Sequence, residues 1–244
     1  MKALLLNSGL GSRMGKLTDD KPKCMCPIGN GYSIISWQLE LLRTHGIMDI
    51  VITTGPFERS LKEHVLTYGE GLNFTFVNNP IYQETNYIFS MYLAREHLKD
   101  DILLLHGDLV LEPSVVADLL FSDHSVVTVD KLLPLPEKDF KAKHDGSKIK
   151  AVGIEFFGND CEACQPAYKW TKADFALWMN EIEAFCKRGK TKVYAENAFN
   201  CVSDQIDLYP LELEKRLCNE IDNLDDLMAI TERFQRLLSK ERKQ

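Results

Sequence analysis

The chain has 244 residues, 45% of them apolar, and a formal net charge of −7. That length fits one large domain, or one domain with a small lid, and that apolar share supports a packed core, which excludes global disorder. An acidic balance excludes a general nucleic-acid binder, whose surface must be basic, but not a nucleotide substrate held by a few local cations.

Lys2 to Asn7 reads as a buried strand, because A-L-L-L is continuous rather than alternating. Polar and charged residues (Asn7, Ser8, Arg13) follow at once, which a secretory signal would not have. Ile34 to Thr44 has apolar residues at helical spacing and stops at His45-Gly46. Asp49 to Thr54 is a second strand, Leu61 to Tyr68 a helix ending at Gly69, and Phe74 to Val77 a third strand. Ile88 to Leu98 is helical. Ile102 to His106 is a fourth strand that stops at Gly107-Asp108. A helix at Ser114 to Leu120 and a strand at Ser125 to Val129 follow.

After Asp130 the rhythm changes. Leu132 to Ser147 is polar and proline-containing and reads as a loop. Ile149 to Phe157 reads as a strand. Lys172 to Cys186 reads as an amphipathic helix with Phe175, Trp178, Ile182 and Phe185 on one face. Short strands are expected at Ile206 to Tyr209 and Asn219 to Ile221. The last helix starts at an Asn223 cap and runs to about Leu238, with Leu224, Leu227, Met228, Phe234, Leu237 and Leu238 inward. No apolar run approaches the roughly 20 residues of a membrane helix. Seven cysteines, without the spacing of a small disulfide scaffold, read as reduced thiols in a cytoplasmic protein.

Strands alternating with helices imply an α/β fold with a mainly parallel, mixed sheet flanked by helices on both faces. The expected organisation is a single domain over residues 1–244, with a lid or acceptor-binding insertion around 131–202. Ligands of such sheets sit beyond the carboxyl ends of the strands. The turn after the first strand and the Gly107-Asp108 turn should therefore share one rim.

That rim gathers the candidate chemistry. In G-L-G-S-R, glycines let backbone N–H groups approach a phosphate, and the Arg13 fork suits phosphate oxygens. An ordinary strand-to-helix turn has similar glycines, and neither a Walker lysine nor a full G-x-G-x-x-G is present. In K-P-K, Pro22 stiffens the chain before Lys23, although a lysine in a solvated loop is commoner. Asp108 ends an apolar strand, and Asp222 ends the short strand of N-E-I-D-N, before a helix. Each has an ordinary reading as a turn or cap residue, and as a pair they form a carboxylate set for Mg²⁺. His106 reads as a core histidine. Cys24/Cys26 and Cys161/Cys164 lack the four-ligand pattern of a zinc site. Trp170 is the aromatic to consider for a ligand pocket.

Together these pieces resemble the nucleotidyltransferase family (GT-A-like, with a Rossmann-like fold) that activates sugars and small phospho-compounds. The likeness covers nearly the whole chain. The family signature, G-x-G-[ST]-R-[LM] and then P-K, stands here as Gly9-Leu10-Gly11-Ser12-Arg13-Met14 and Pro22-Lys23. Asp108 and Asp222 match the family's metal aspartates. Asn7-Ser8 stands where many members have Ala-Ala or Ala-Gly, a departure close to the nucleotide base. N-P-I-Y-Q-E-T-N-Y-I-F-S-M-Y-L-A-R and N-E-I-D-N-L-D-D-L resemble the CTP-dependent branch that acts on phosphocholine and on phosphonates such as 2-aminoethylphosphonate. Y-K-W-T-K-A-D-F and V-Y-A-E-N-A-F-N look closest to the phosphonate enzymes.

The resemblance implies Mg²⁺ on Asp108 and Asp222, with Arg13 on the triphosphate and Lys23 on the α-phosphate. Leu6, Asn7, Gly9, Gly11 and Ser12 complete the nucleotide-binding set, and Asn86 and Ser90 would hydrogen-bond cytosine. Candidate acceptor contacts are Asp130, Glu196 and Asn197 for an amine, with Tyr168 as an aromatic wall and Lys169 for a phosphonate. The partners implied are CTP and a small phosphonate or phospho-amine, without nucleic acid or membrane, and a homodimer is the candidate assembly. The acids and amides of the late segments, beside few aromatics, favour a primary amine over a quaternary one.

Overall fold

The computed structural model describes residues 1–241. Strand β1 (Lys2–Asn7) leads into two 3-10 turns, Ser12–Thr18 and Lys23–Met25, then a small hairpin of β2 (Pro27–Gly29) and β3 (Tyr32–Ser33). Helix α1 (Ile34–Thr44) starts at a reciprocal cap between Ser33 and Ser36. There follow β4 (Asp49–Thr54), α2 (Glu58–Tyr68), β5 (Asn73–Asn78), α3 (Tyr87–Ala94), β6 (Ile102–His106), β7 (Leu109–Leu111), α4 (Pro113–Phe121) and β8 (Ser125–Asp130). The expected elements of this half are all present. The differences are at helix ends: α2 starts three residues earlier, and α3 gives way to a 3-10 turn at Arg95–His97.

The second half departs further. Part of the expected loop is a strand, β9 (Lys141–His144), paired antiparallel with β10 (Ile149–Gly153). The stretch after β10, for which the sequence predicts no element, contains β11 (Cys161–Trp170), the longest strand described. Pro166 conceals it, since proline cannot donate to a ladder. The structure accommodates it with a register shift between Gln165 and Tyr168. Helix α5 (Lys172–Lys187) is as expected, but α6 (Glu196–Val202) was not, and β12 (Leu208–Glu212) lies later than its expected place. β13 (Cys218–Glu220) and α7 (Leu224–Glu241) close the described chain.

The sheet runs β10-β9-β11-β6-β1-β4-β5, with β8 on β11 and β12 on β8. Pairings among β6, β1, β4 and β5 are parallel, and β11 runs antiparallel to its neighbours. The expected mainly parallel mixed sheet is therefore observed. Within the stretch 131–202, β11 lies inside the sheet and α5 packs against it. Alternation along β1 divides the core. Ala3 and Leu5 face α1, α2, α4 and α7, whereas Leu4 faces α3, α5 and α6. On α7 the buried stripe centres on Ile230 and Phe234. Leu224 and Met228, expected inward, are exposed, because the turn of about 100° per residue carries them off that stripe.

Two pairings build the rim. Leu6 lies opposite His106, and Gly107 N–H donates to the Leu6 carbonyl at 3.0 Å. β7 and β13 form a separate antiparallel ribbon with Leu109 opposite Glu220, and Ile221 N–H donates to the Asp108 carbonyl at 3.0 Å. Asp108 and Asp222, far apart in sequence, thus meet at one end of that ribbon. Among the described residues no helix is long and apolar enough to cross a membrane.

Candidate active site

The glycine-rich loop is fixed by its backbone. Gly11 has φ +67°, in the left-handed region, and a Cβ there would stand 2.9 Å from the Lys23 Cβ. Thr18 clamps the turn by donating from its hydroxyl to the Gly11 carbonyl (2.9 Å) and the Gly15 carbonyl (3.2 Å). Leu6, Asn7, Gly9, Gly11, Ser12, Arg13 and Lys23 then line one cavity of about 310 Å³ together with Asp108 and Asp222. The bare glycine lets the loop pack on Lys23, and Lys23 is thereby aimed at the aspartates.

The charges converge tightly. The Lys23 ammonium pairs with Asp108 and, at 3.2 Å, with Asp222, while Arg13 reaches the same Asp222 oxygen at 2.9 Å. Burial alone would lower the Lys23 pKa, but Asp108 and then Asp222 more than offset it and hold the amine protonated. Burial likewise works against the Asp108 carboxylate, and Lys23 and His106 reverse the balance, so Asp108 titrates below its ordinary value. Both aspartates touch one ammonium and so face each other across the width of a single cation. An oxygen donor set in that spacing fits Mg²⁺ completed by phosphate oxygens and water.

Beside Asp108 lies a cavity of about 200 Å³ lined by Leu6, Ser8, Gly9, Asn79, Tyr82, Thr85, Asn86, Tyr87, Ser90 and His106. A second cavity of about 260 Å³ has walls that include Tyr87, Tyr194, Phe140, Asp139, Lys138, Glu220 and both aspartates. Asn86, Tyr87, His106 and Asp108 line both, so the two cavities meet beside Asp108. Asn86 also caps α3, with its Oδ1 accepting from Tyr87 N–H at 2.7 Å. Tyr87 donates its hydroxyl to Glu196, which accepts from Tyr168 at 3.0 Å on its other oxygen. Burial, reinforced by Glu196, pushes both phenols well above their ordinary values.

Several residues of this site escaped the sequence reading. His106 Nδ1 lies 3.0 Å from Glu220 Oε1, and donor atoms of His106, Asp108 and Glu220 all fall within 4.8 Å of one another. Burial raises the Glu220 pKa, and the charges of Asp108 and Asp222 add to it. The His106 contact opposes them, leaving Glu220 pushed up to about 7. For His106, burial is outweighed by Glu220 and Asp108, and its pKa rises too. Glu220 stood inside N-E-I-D-N, two residues before Asp222, where a strand ending at the rim was the available signal. Tyr194 and Phe140 gave no signal, since single aromatics are usually core.

The expected acceptor residues are scattered. Glu196 is buried behind Tyr87, and Tyr168 behind it again. Asp130 is buried and accepts from Leu132 N–H (2.9 Å) and Lys215 N–H (3.3 Å), a turn-holding role. Asn197 lies in α6 and lines neither cavity. Lys169 is opposite Leu103, toward the far end of the sheet, where its ammonium donates to the His124 carbonyl at 3.3 Å. Trp170 is fully buried among Tyr168, Phe175, Trp178 and Phe199. The antiparallel run of β11 explains both: its carboxyl end points away from the rim. Among the described residues, five buried side-chain polar atoms lack a partner, and three of them, Asn7 Nδ2, Ser8 Oγ and His106 Nε2, belong to this rim.

The chain is similar to known proteins over part or nearly all of its length. The MobA-like NTP transferase domain matches residues 3–131, just over half of the chain. The chain is 35% identical over 150 residues to the CMP-5'-(3-aminopropyl)phosphonate synthase of Streptomyces rubellomurinus, covering 60% of this chain and 23% of that protein. It therefore spans less than a quarter of that relative's length. It is 25% identical over 234 residues to the choline-phosphate cytidylyltransferase of Streptococcus pneumoniae, covering 95% of this chain and 97% of that one. In fold it resembles the inositol-1-phosphate CTP transferase of T. maritima, with a TM-score of 0.77 at 22% identity over 95% of this chain and 96% of that one.

Proposed function

The chain belongs to the MobA-like NTP transferase family, and we propose that it moves a cytidylyl group from CTP to a small phosphonate bearing an amine, of the 2-aminoethylphosphonate kind, releasing pyrophosphate. The observation that carries this reading is the junction beside Asp108, where Lys23, Arg13, Asp108 and Asp222 converge between two cavities with a shared wall. A donor nucleotide in one and an acceptor in the other would meet there. The names of the phosphonate and choline-phosphate relatives support CTP and a small phospho-acceptor.

In this reading a phosphonate oxygen attacks the α-phosphorus of CTP. A new P–O bond forms, the bond to the bridging oxygen breaks, and its electron pair leaves with pyrophosphate. The nucleophile is already anionic, so the barrier is repulsion and misalignment rather than proton removal. Lys23 and Arg13 lower the repulsion with fixed positive charge, and the stiff Gly11 turn sets where that charge lies. Asp108 and Asp222 would hold Mg²⁺, which neutralises phosphate charge when bound. In the second cavity, Asp139 and Glu220 supply carboxylates for a primary ammonium.

One observation favours phosphocholine as a second reading. Tyr87, Tyr194 and Phe140 stand around the second cavity, with Tyr194 centroids 6.0 Å from Tyr87 and 5.0 Å from Phe140, and aromatic faces suit a quaternary ammonium. Sequence alone pointed to Tyr168 and Trp170, which are buried elsewhere. The test is pyrophosphate release with each nucleoside triphosphate against 2-aminoethylphosphonate, phosphocholine and a sugar 1-phosphate. We expect CTP with the aminophosphonate to give the highest kcat/KM, by tenfold or more on the scale of about 1–3 kcal/mol for an unpaired donor. Equal or better use of phosphocholine selects the second reading, and activity confined to the sugar phosphate discards both.

A further inference from the structure

Between β6 and β7 the chain leaves one sheet for another, with only Gly107 and Asp108 in the turn. Such a turn interrupts ladder pairing, and its buried main-chain carbonyls must find donors elsewhere. Gln38 supplies them. It stands on α1 and is fully buried, and its Nε2 donates to the His106 carbonyl at 2.8 Å and to the Leu109 carbonyl at 2.9 Å. Carbonyls only accept, so these two contacts fix which end of the amide is nitrogen. One NH₂ group therefore clasps the residue before Gly107 and the residue after Asp108. Ile221 N–H holds the Asp108 carbonyl between them. The same helix is tied to the lysine. Ile34 N–H, in its first turn, donates to the Cys26 carbonyl at 3.1 Å, and Cys26 N–H donates to the Lys23 carbonyl at 2.9 Å. Helix α1 thus bridges the turn that carries Lys23 and the turn that carries Asp108.

We infer that Gln38 is a positioning residue that sets the Asp108 carboxylate for a divalent cation, an inference that rests on reading Asp108 as a metal ligand. Gln38 lines none of the three cavities around the junction, so it acts only through the turn. Gly107 gives that turn no side-chain restraint of its own. With both N–H bonds in place, the Asp108 backbone is pinned on either side and its carboxylate stays beside Lys23. Without them the turn can rotate, and the carboxylate drifts from Asp222. Mg²⁺ demands near-ideal octahedral geometry, so a drifting ligand holds it less well. Groups that orient a ligand from behind typically carry about 10- to 100-fold in metal affinity or activity. Trp37, the next residue on α1, donates from Nε1 to the Leu111 carbonyl at 2.7 Å. That bond joins the same helix to the same strand, two residues further from Asp108, and so separates general attachment from positioning.

Gln38→Met keeps the length and most of the volume of the side chain and removes both N–H groups. Trp37→Phe removes only the neighbouring bond. Three measurements compare each variant with the wild-type protein: Mn²⁺ binding in the presence of CTP by electron paramagnetic resonance, the Mg²⁺ concentration at half-maximal turnover, and thermal unfolding. We expect Gln38→Met to weaken Mn²⁺ binding about tenfold and to raise the half-saturating Mg²⁺ by a similar factor. Trp37→Phe should lower the unfolding temperature and leave both metal measurements within about twofold of wild type. Gln38→Asn keeps the NH₂ group but draws it back by one methylene. It should lose metal affinity in the same way, and it decides the matter if Gln38→Met does not fold. Wild-type metal affinity in Gln38→Met, with only the unfolding temperature reduced, overturns the inference and leaves Gln38 a packing residue. An equal loss of metal affinity in Trp37→Phe overturns it too, since any loosening of α1 would then suffice. Asp108→Asn that binds Mn²⁺ as well as wild type overturns the inference and the metal reading of Asp108 together.

Discussion

The glycine-loop side of the Asp108–Asp222 pair is made largely of backbone, and the wall of Tyr87, Tyr194 and Phe140 of side chains. In the loop, Gly11 adopts φ +67° and packs against Lys23 where no Cβ fits, and Gly107 N–H ties the two strands together. In the wall, Tyr87, Tyr194 and Phe140 stand on three different segments, and Glu196 works from behind one of them. Backbone geometry is specified by a few special residues at fixed spacing. A side-chain wall can be rebuilt by many combinations of ordinary residues. The first half of the site should therefore be intolerant of small changes, and the second should change specificity before it fails.

The strongest way to break this contrast is to alter charge at the pair itself. Asp108→Asn keeps size and removes one carboxylate charge, and we expect turnover to fall at least about 100-fold with thermal unfolding little changed. Lys23→Ala should lower kcat more than it raises the KM for CTP, since its charge acts on the transition state. A Lys23 variant defective only in KM would reduce that residue to a binding role. Next comes Gly11→Ala, which adds one methyl group. It must displace Lys23 and adopt a left-handed backbone, so we expect kcat to fall by about tenfold to 100-fold, the range in which a displacement of about 1 Å matters. Unchanged kcat would mean that the loop relaxes and the backbone side is as plastic as the other.

On the acceptor side the expected effects are smaller and of another kind. Tyr87→Phe frees Glu196 of one donor without emptying the wall. We expect the acceptor KM to rise about tenfold with the CTP KM within twofold, measured by varying each substrate in turn. Equal effects on both substrates would show that Tyr87 belongs to the nucleotide as much as to the acceptor. Lys169→Met should do least. It loses one contact to the His124 carbonyl, at about 1 kcal/mol of stability in a denaturant titration, and kcat/KM should not move.

The same contrast explains what the sequence disclosed. Strand runs such as A-L-L-L and I-L-L-L are continuous because both faces of a parallel sheet are covered, and they mark β1 and β6 without ambiguity. The rule that ligands gather past the carboxyl ends then points to Gly107-Asp108, and the glycine-arginine loop to its partner. Glu220 was within reach, since it ends a strand beside Asp222. Asn79, in N-N-P after β5, was also within reach as a rim residue. Pro166 hid β11, and with β11 hidden, nothing in the sequence showed that Lys169 reaches the His124 carbonyl or that Trp170 is buried in the core. Asp130 looked free in sequence, but two backbone N–H groups from separate turns occupy it. Such distant backbone partners have no sequence signature.

The β7–β13 ribbon has a consequence for the order in which the protein is made. Arg13 and Asp222 are 209 positions apart, and Lys23 and Asp222 are 199. A nascent chain that has exposed β1, the glycine loop, Lys23 and Asp108 holds most of the charged groups of the junction but not the second carboxylate. The Lys23 ammonium then has Asp108 alone, and β7 waits as an unpaired edge. Only when β13 leaves the ribosome do the edge and the second charge arrive, in a single pairing event. A chain released early by proteolysis or premature termination would therefore carry the glycine loop without Asp222, and a peptide spanning β13 and α7 is the piece that would supply it in trans.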